Sequence, residues 1–224
     1  MNTPDVNMNF VRVSSEIVKT ASQYPSCILA DVAGRRGAMH GRIAPLHSSM
    51  QFSGPALTVE VRAGDNLMIH AAMSLARPGD VLVIDGKADQ QCALMGSIMI
   101  NVCKKLGLAG VVVDAAIRDS LELLELDFPV FSVGKNPNGP TKNVAGRIGH
   151  DISCGNITVR SGDYVHGDAD GVIVIEREKI ESLLPLAAKK VLDESARIAQ
   201  IQQGKTDSPW LPSALVAAGV QMPN

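Results

Sequence analysis

The distribution of apolar residues predicts alternating strands and helices in the middle third of the chain. Residues 81–85 and 111–113 form short apolar runs that are typical of strands buried on both faces of a sheet. A helix is predicted at 95–106, between these strands, and a glycine ends it. A second helix at 120–126 precedes a strand at 129–133. This alternation favours parallel β-α-β units.

The flanking regions follow other patterns. Upstream, the sequence predicts an N-terminal helix within residues 12–24, a short helix from residue 27, a strand within 52–61 and a helix at 65–76. Downstream, short strands separated by turns precede one long amphipathic helix. The predicted downstream elements are the loop 134–141, the strands 157–160, 164–167 and 172–175, and the helix 178–203. The tail beyond residue 204 is expected to pack irregularly or against a neighbouring subunit.

Composition excludes several classes of function. A chain of 224 residues can form one large domain with a substantial core. A net charge of −2 and an aromatic content of 3% argue against binding to nucleic acid or to an anionic membrane. No segment reaches the roughly 18 apolar residues of a membrane span. Four scattered cysteines suggest neither a zinc site nor disulfides, and with no secretory signal pattern we expect a cytoplasmic protein.

An arginine and an aspartate stand side by side where the strand that begins at residue 111 would end. The carboxyl ends of strands in open sheets are common positions for small ligands. The guanidinium of Arg118 can bind a carboxylate or a carbonyl oxygen, and the carboxylate of Asp119 can bind a hard metal ion. The alternative interpretation is a surface ion pair at a strand end.

The helix that precedes this strand strengthens the first interpretation. Gly96 stands at its predicted start, where free backbone N–H groups suit an anionic ligand. Twenty residues separate Ser97 from Arg118, enough for one helix and one parallel strand. Such a path returns the chain to the same edge of the sheet. The helix N-terminus, Arg118 and Asp119 are therefore predicted to surround one small anion.

Other polar residues carry weaker signals. Glu122 lies three residues beyond Asp119 and suits either a water-mediated metal contact or an exposed position on a helix. The histidines show no metal-ligand spacing, and we interpret them as structural or exposed. Those histidines are His40, His47, His70 and His166.

Four segments resemble the RraA-like family, and the resemblance runs in order from about residue 30 to residue 203. They are residues 78–86 (PGDVLVIDG), 110–119 (GVVVDAAIRD), 129–134 (PVFSVG) and 156–175 (NITVRSGDYVHGDADGVIVI). The family includes the metal-dependent 4-hydroxy-4-methyl-2-oxoglutarate and 4-carboxy-4-hydroxy-2-oxoadipate aldolases. The resemblance implies one α/β domain over residues 1–224, a layered αββα sandwich of the swivelling β/β/α type. Its core would span about 26–177, and a long helix and tail would span 178–224.

The resemblance also implies roles for individual residues. Arg118 would bind the pyruvate moiety, and Asp119 would ligate Mg²⁺ or Mn²⁺. The implied carboxylate-binding amides are those of Gly96, Ser97, Ile98 and Met99, and the acids implied near the metal waters are Glu122 and Glu194. Glu194 would come from an adjacent subunit, because the resemblance implies a homotrimer or a hexamer with sites at subunit boundaries.

The implied reaction is the metal-dependent retro-aldol cleavage of a 4-hydroxy-2-oxo acid to pyruvate and a carbonyl product, with oxaloacetate decarboxylation as a side activity. Two residues depart from the family pattern, Ser97 and Ala115, and both can affect substrate choice. One alternative is a non-catalytic ribonuclease regulator, but such relatives lack the acid found here as Asp119. Another is a related enolate-forming lyase of sugar-acid or aromatic breakdown. A Schiff-base aldolase is disfavoured, because no lysine ends a predicted strand near Arg118.

Overall fold

The computed structural model describes residues 5–221. The helices are α1 (Ser15–Ala21), α2 (Ser26–Val32), α3 (Leu67–Leu75), α4 (Ser97–Lys105), α5 (Ser120–Glu125), α6 (Ile180–Gln202) and α7 (Leu211–Ala217). The strands are β1 (Ala44–Pro45), β2 (Phe52–Glu60), β3 (Val81–Met95), β4 (Gly110–Ile117), β5 (Val130–Lys135), β6 (Arg147–Ile148), β7 (Ile152–Cys154), β8 (Ile157–Val159), β9 (Tyr164–Asp168) and β10 (Gly171–Ile175).

The central strands β2 to β5 run parallel, as their alternation with helices predicts. The order in the main sheet is β1-β5-β4-β3-β2-β9-β10, and β6 pairs with β2. Strands β9 and β10 are antiparallel to their neighbours, while β7 and β8 form a separate hairpin. Because β3 and β4 are parallel neighbours, their carboxyl ends meet at one edge of the sheet.

Two apolar cores hold the layers together. Helices α3, α4 and α5 bury one face of the parallel strands, on which Leu82 and Val111 are fully buried. The opposite face packs against the hairpin and against β9 and β10, where Phe131 meets Phe52 edge-on at 5.0 Å between ring centroids. Helix α2 contacts the outer side of β9 and β10. The predicted layered α/β fold is therefore confirmed.

Helix α4 ends as predicted, because Gly107 takes the left-handed conformation with φ of 74°. Its N–H donates to the carbonyl of Lys104 at 3.0 Å, and the N–H of Leu108 donates to that of Cys103 at 3.1 Å. This pair of bonds is a Schellman motif, which satisfies carbonyls that the helix end leaves free.

Strand β3 is longer than the sequence predicts, and α4 begins slightly later. The strand was predicted at 81–85 and the helix at 95–106, but the strand continues to Met95 and the helix begins at Ser97. Lys87 and Ala88 are left-handed, with φ of 63° and 56°, and the register against β4 shifts beyond Ile84. The polar run from Lys87 to Gln91 conceals the strand, because it breaks the apolar pattern.

The predictions for the two chain ends have different outcomes. Helix α1 lies within the predicted 12–24 range and begins after Ser14, which caps it, its hydroxyl accepting a hydrogen bond from the N–H of Ile17 at 3.3 Å. The tail is not irregular, since residues 211–217 form helix α7, which has no buried residue. Strands β1, β6 and β7 were not predicted, because two or three residues are too few to leave a pattern.

The chain forms two compact units that divide after Ala187, within α6. The first contains the sheets. The second contains the rest of α6 and α7, and in it the guanidinium of Arg197 donates to the carbonyls of Lys205 and Asp207 at 3.1 and 2.6 Å. Within residues 5–221, no helix is both long enough and apolar enough to cross a membrane.

Buried His166 is expected to make the stability of the fold depend on pH. Burial lowers its pKa more than the neighbouring carboxylate of Asp168 raises it. Because the pKa is lower in the folded state, stability is lost as the pH falls through the unfolded-state value of about 6.5. We expect the Tm to fall between about pH 7.5 and about pH 5.5, and to fall less in His166→Gln. In this variant His70, whose pKa is also lowered, should maintain part of the dependence of the Tm on pH. Equal slopes by circular dichroism melting would contradict this account.

Candidate active site at the end of strand β4

The arginine and the aspartate lie where β4 ends at the sheet edge. The N–H of Arg118 donates to the carbonyl of Met95 at 3.0 Å, which continues the pairing of β4 with β3. Asp119 then takes a left-handed conformation with φ of 61° and ψ of 36°, and α5 begins at Ser120. A left-handed aspartate is uncommon, and such strained residues cluster at functional sites. The turn separates the two side chains from the buried strand and exposes both to the surface.

The carboxylate of Asp119 joins this turn to the N-terminus of α4. Its Oδ2 accepts hydrogen bonds from the backbone N–H of Ser97 at 2.9 Å and from the hydroxyl of Ser97 at 3.2 Å. A negative charge is stabilised at this position, because the helix N-terminus carries unpaired N–H groups and a partial positive charge. Its Oδ1 accepts no hydrogen bond from the residues that the structure describes.

The guanidinium of Arg118 lies beside this carboxylate but forms no hydrogen bond with it. Its Nε lies 3.8 Å from Oδ2 of Asp119, and 43% of the side chain is exposed. Across residues 5–221, the guanidinium donates no hydrogen bond. The loop after β5 approaches from one side, since a Cβ built on Gly139 would lie 3.1 Å from Nη1. The N–H donors of the Arg118 guanidinium are therefore available to an anionic ligand.

These groups line a cleft of about 140 Å³. The cleft is lined by Asn66, His70, Ala93, Leu94, Met95, Gly96, Ile98, Met99, Arg118, Asp119, Pro140 and Lys142. The N–H groups of Ile98 and Met99 lie in the first turn of α4 and have no acceptor within the helix. The predicted meeting of the helix N-terminus, Arg118 and Asp119 is thus present in the geometry. Ser97 lies beside the cleft, bonded to Asp119.

Sequence reasoning did not assign several polar residues of this cleft, among them His70, Asn66 and Lys142. His70, which was interpreted as structural or exposed, lies on its wall, and burial and the charge of Lys142 both lower its pKa. Asn66 is almost fully buried, and its Nδ2 donates to the carbonyl of Leu94 at 2.9 Å, while its Oδ1 has no hydrogen-bond partner. The spacing of four residues between Asn66 and His70 is a detectable signal, because it would place both on one face of the predicted helix 65–76; in the structure Asn66 is the N-cap of α3.

Three other residues of interest are not among those that line the cleft. Glu122 is exposed on α5 and forms no hydrogen bond or ion pair within the described part of the chain. Glu194 belongs to the second compact unit, where its Oε1 lies 2.9 Å from Nζ of Lys190. Ala115 is fully buried in β4, and a Cβ built on Gly86 would lie 2.7 Å from its methyl group. The methyl of Ala115 therefore fills space that glycine leaves open in the next strand.

The donor set suits a hard divalent cation that keeps much of its hydration shell. Among residues 5–221, no cluster of three or more His, Cys, Asp or Glu side chains could enclose a metal ion. Mg²⁺ and Mn²⁺ prefer oxygen ligands, and Mg²⁺ is often held by one or two carboxylates, with water and substrate completing the shell. The free Oδ1 of Asp119 is such an oxygen, and Ser97 orients the carboxylate that carries it.

Gly96 is expected to be essential to this geometry. A Cβ built there would lie 2.4 Å from Oδ2 of Asp119 and 3.0 Å from Cγ of Arg118. Gly96→Ala should therefore displace both side chains and lower kcat/KM by about 10²-fold, while the Tm changes little. Gly41→Ala is the control, because its Cβ would meet nothing within 4 Å. If Gly96→Ala and Gly41→Ala had the same kcat/KM, the proposed geometry would be wrong.

The sequence is similar to a family model described as RraA-like, Aldolase/RraA, which matches residues 16–174. A relative from Halalkalibacterium halodurans, provisionally named a 4-hydroxy-4-methyl-2-oxoglutarate aldolase, is 42% identical over 77% of this chain and 82% of its own length. Relatives with the same provisional name include one from Halorhodospira halophila, which is 30% identical over 63% of this chain and 85% of its own length.

Solved structures share the fold. One is described as the S-adenosylmethionine:2-dimethylmenaquinone methyltransferase of Geobacillus kaustophilus. It is 31% identical, with a TM-score of 0.61 over 66% of this chain and 94% of that chain. Streptomyces coelicolor RraAS2, described as an unusual member of the RNase ES inhibitor RraA protein family, is 24% identical, with a TM-score of 0.74 over 84% of this chain and 100% of its own. From the family match and the fold together, the chain belongs to the RraA-like family.

Proposed function

We propose that this protein catalyses the metal-assisted retro-aldol cleavage of a 4-hydroxy-2-oxo acid similar to 4-hydroxy-4-methyl-2-oxoglutarate. The products are pyruvate and a second carbonyl compound. One observation carries the proposal: the free guanidinium of Arg118 and the free Oδ1 of Asp119 border the same cleft at a helix N-terminus. The provisional names of the relatives also support an aldolase.

The residues of the cleft suit the pyruvate portion of such a substrate. The N–H groups of Ile98 and Met99 can donate to its carboxylate, as helix N-termini do to anions. Arg118 can donate to the adjacent 2-oxo oxygen, where negative charge accumulates during the reaction. Asp119 would hold Mg²⁺ or Mn²⁺, which when bound supplies a Lewis acid that polarises the 2-oxo group.

Cleavage begins with loss of the 4-hydroxyl proton to a base. The C3–C4 bond then breaks, C4 becomes the second carbonyl, and the bonding electrons pass to the pyruvate enolate, which takes up a proton at C3. Arg118 stabilises the enolate more than the ketone, and only such differential binding lowers the barrier. Decarboxylation of oxaloacetate passes through the same enolate, and we expect it as a side activity.

The proposal includes association between copies of the chain, as a trimer or a hexamer. Long apolar side chains are exposed on α6 and immediately before α7, and exposed apolar surface is typical of interfaces between chains. They include Leu186, Leu192, Ile198, Ile201 and Trp210. In such an assembly Glu194 of a neighbouring copy would approach the metal waters.

The free thiols of Cys27, Cys92, Cys103 and Cys154 suit a reducing compartment such as the cytoplasm.

The reaction is tested by supplying 4-hydroxy-4-methyl-2-oxoglutarate and oxaloacetate with Mg²⁺ or Mn²⁺ and following pyruvate with lactate dehydrogenase. We expect pyruvate from both substrates and no protein–substrate adduct after borohydride treatment. A borohydride-trapped adduct would indicate a Schiff-base enzyme instead. Failure to release pyruvate from either substrate, or from other 4-hydroxy-2-oxo acids, would favour a non-catalytic regulator. Activity with sugar-acid substrates alone would indicate a different enolate-forming lyase.

A further inference from the structure

A serine and a histidine face each other at the opposite end of the parallel strands from the candidate active site. Ser53 and His166 are direct partners across the antiparallel strands β2 and β9. They lie near the start of β2, whereas the cleft lies at the carboxyl ends of β3 and β4, which run parallel to β2. The Oγ of Ser53 is 2.7 Å from Nδ1 of His166, a hydrogen-bond distance. The proposed aldol cleavage uses neither residue.

The surroundings of His166 determine which ring nitrogen carries the proton. The ring is almost fully buried, and its Nε2 lies 3.5 Å from Oδ2 of Asp168 without forming a hydrogen bond. A lone pair on Nε2 would be repelled by this carboxylate, so the proton lies on Nε2. Nδ1 is then the acceptor, and the hydroxyl of Ser53 donates to it. Because burial lowers the pKa of His166, the ring is neutral near pH 7 and can take up a proton.

The carboxylate of Asp168 is fixed beside the ring by the start of helix α2. The N–H and the hydroxyl of Ser26 donate to its Oδ2 and Oδ1, each at 2.7 Å. Burial raises the pKa of Asp168, but the bonds from Ser26 and from the N–H of Asp170 outweigh burial and lower it. Serine, histidine and an ionised carboxylate are the groups with which proteins activate a serine nucleophile. Here the ring nitrogens are used in the reverse of the usual order, with Nδ1 toward the serine, and either nitrogen can accept a proton.

Ser53 has a second polar partner. Its Oγ lies 3.2 Å from the hydroxyl oxygen of Tyr164, which is fully buried. Burial raises the pKa of Tyr164 to about 12, so the phenol keeps its proton. Since the proton of Ser53 is directed to His166, the phenol donates to Oγ. A donor at Oγ stabilises the negative charge that this oxygen gains as its own proton leaves.

A cavity of about 320 Å³ opens beside Ser53. It is lined by Val18, Ser22, Gln51, Phe52, Ser53 and His166. None of these side chains is charged near pH 7, and Val18 and Phe52 offer apolar contact. The exposed amide of Gln51 forms no hydrogen bond within residues 5–221, so it can donate to a carbonyl oxygen that gains negative charge. The cavity therefore suits a small uncharged acyl group.

We propose that Ser53 is a nucleophile activated by His166, and that this cavity is a second catalytic site that hydrolyses small uncharged acyl esters. Nδ1 takes the hydroxyl proton while Oγ attacks the carbonyl carbon. The bond from that carbon to the alcohol oxygen then breaks, and the alcohol leaves with the proton. Water next gives a proton to Nδ1 and attacks the acyl carbon. The bond to Oγ breaks, Oγ recovers the proton, and the carboxylic acid is released.

Two uncharged probes test the site directly. Phenylmethylsulfonyl fluoride should add a single phenylmethylsulfonyl group to the unaltered protein, and peptide mapping by mass spectrometry should locate it on Ser53. The protein should also release p-nitrophenol from p-nitrophenyl acetate. We expect Ser53→Ala and His166→Gln each to lower kcat/KM for this ester by about 10²-fold or more, since they remove the nucleophile and its base. Mapping on the unaltered protein requires no variant, so it remains decisive if a variant fails to fold.

A surface serine provides the matched control. The Oγ of Ser49 lies 2.8 Å from Nδ1 of His47, but both residues are exposed and neither lines the cavity. Ser49→Ala should therefore change sulfonylation and ester hydrolysis by less than about twofold. An adduct on another residue, no adduct at all, or full ester hydrolysis in Ser53→Ala would overturn the proposal. Pyruvate release is measured separately at the other end of the strands, so failure here leaves the aldolase proposal intact.

Discussion

Asp119→Ala is expected to reduce pyruvate formation by about 10³-fold or more, because it removes the proposed metal ligand and, with it, the acceptor of the Ser97 hydrogen bonds at the N-terminus of α4. The fold should persist, since a third of this side chain is exposed and the strand behind it is fully buried. Steady-state rates at saturating Mn²⁺ measure the loss, and titration calorimetry with Mn²⁺ measures the affinity. Metal affinity should fall in parallel with the rate.

A second carboxylate on α5 provides the control for this variant. Glu125→Ala removes an exposed acidic side chain that neither lines the cleft nor forms an ion pair in the described part of the chain. It should change the rate by less than about threefold, within the usual scatter of surface substitutions. Full Mn²⁺ affinity in Asp119→Ala would refute the assignment of Asp119 as the ligand, whatever its activity.

Arg118→Ala is expected to lower kcat/KM by about 10²–10³-fold, or about 3–4 kcal/mol of transition-state stabilisation, by analogy with the loss of one oxyanion donor. Stability should be unaffected, because the guanidinium donates no hydrogen bond within residues 5–221. Arg118→Lys should recover only part of the loss, since an ammonium cannot make the paired contacts of a guanidinium.

The matched control for Arg118 is Arg62→Ala, an exposed arginine outside the cleft. Decarboxylation of oxaloacetate should fall with aldol cleavage in Arg118→Ala, because both reactions form the same enolate. A variant that lost one activity and kept the other would show that Arg118 recognises a substrate group and does not stabilise the enolate.

Local patterns in the sequence are sufficient to predict much of the fold. The run at 110–117 is apolar except for Asp114, and it forms a strand buried along its whole length. Gly107 ends α4 because it takes the left-handed conformation, which glycine adopts without steric cost. The continuation of β3 beyond Gly86 could not be predicted, because its hydrogen bonds depend on register shifts against β4 that a single sequence does not encode. Helix α6 was predictable from its period, but the period does not identify what covers its apolar side chains.

The residues of the candidate site also differ in whether the sequence predicts their position. Arg118 and the N-terminus of α4 could be placed together because one helix and one parallel strand connect them. His70 and Lys142 reach the same cleft through α3 and a long loop, and the contacts of buried Asp65 hold that loop. Contacts between distant segments leave no periodic signal in the chain, so it is the three-dimensional arrangement that brings His70 and Lys142 to one cleft.

The metal dependence of pyruvate release is the most direct test of the central claim, that Asp119 and Arg118 form a metal-assisted pyruvate site. Protein stripped with EDTA should release no pyruvate from 4-hydroxy-4-methyl-2-oxoglutarate. Adding Mg²⁺ or Mn²⁺ should restore the rate along a saturation curve that is absent in Asp119→Ala. An undiminished rate in the stripped protein would contradict the claim.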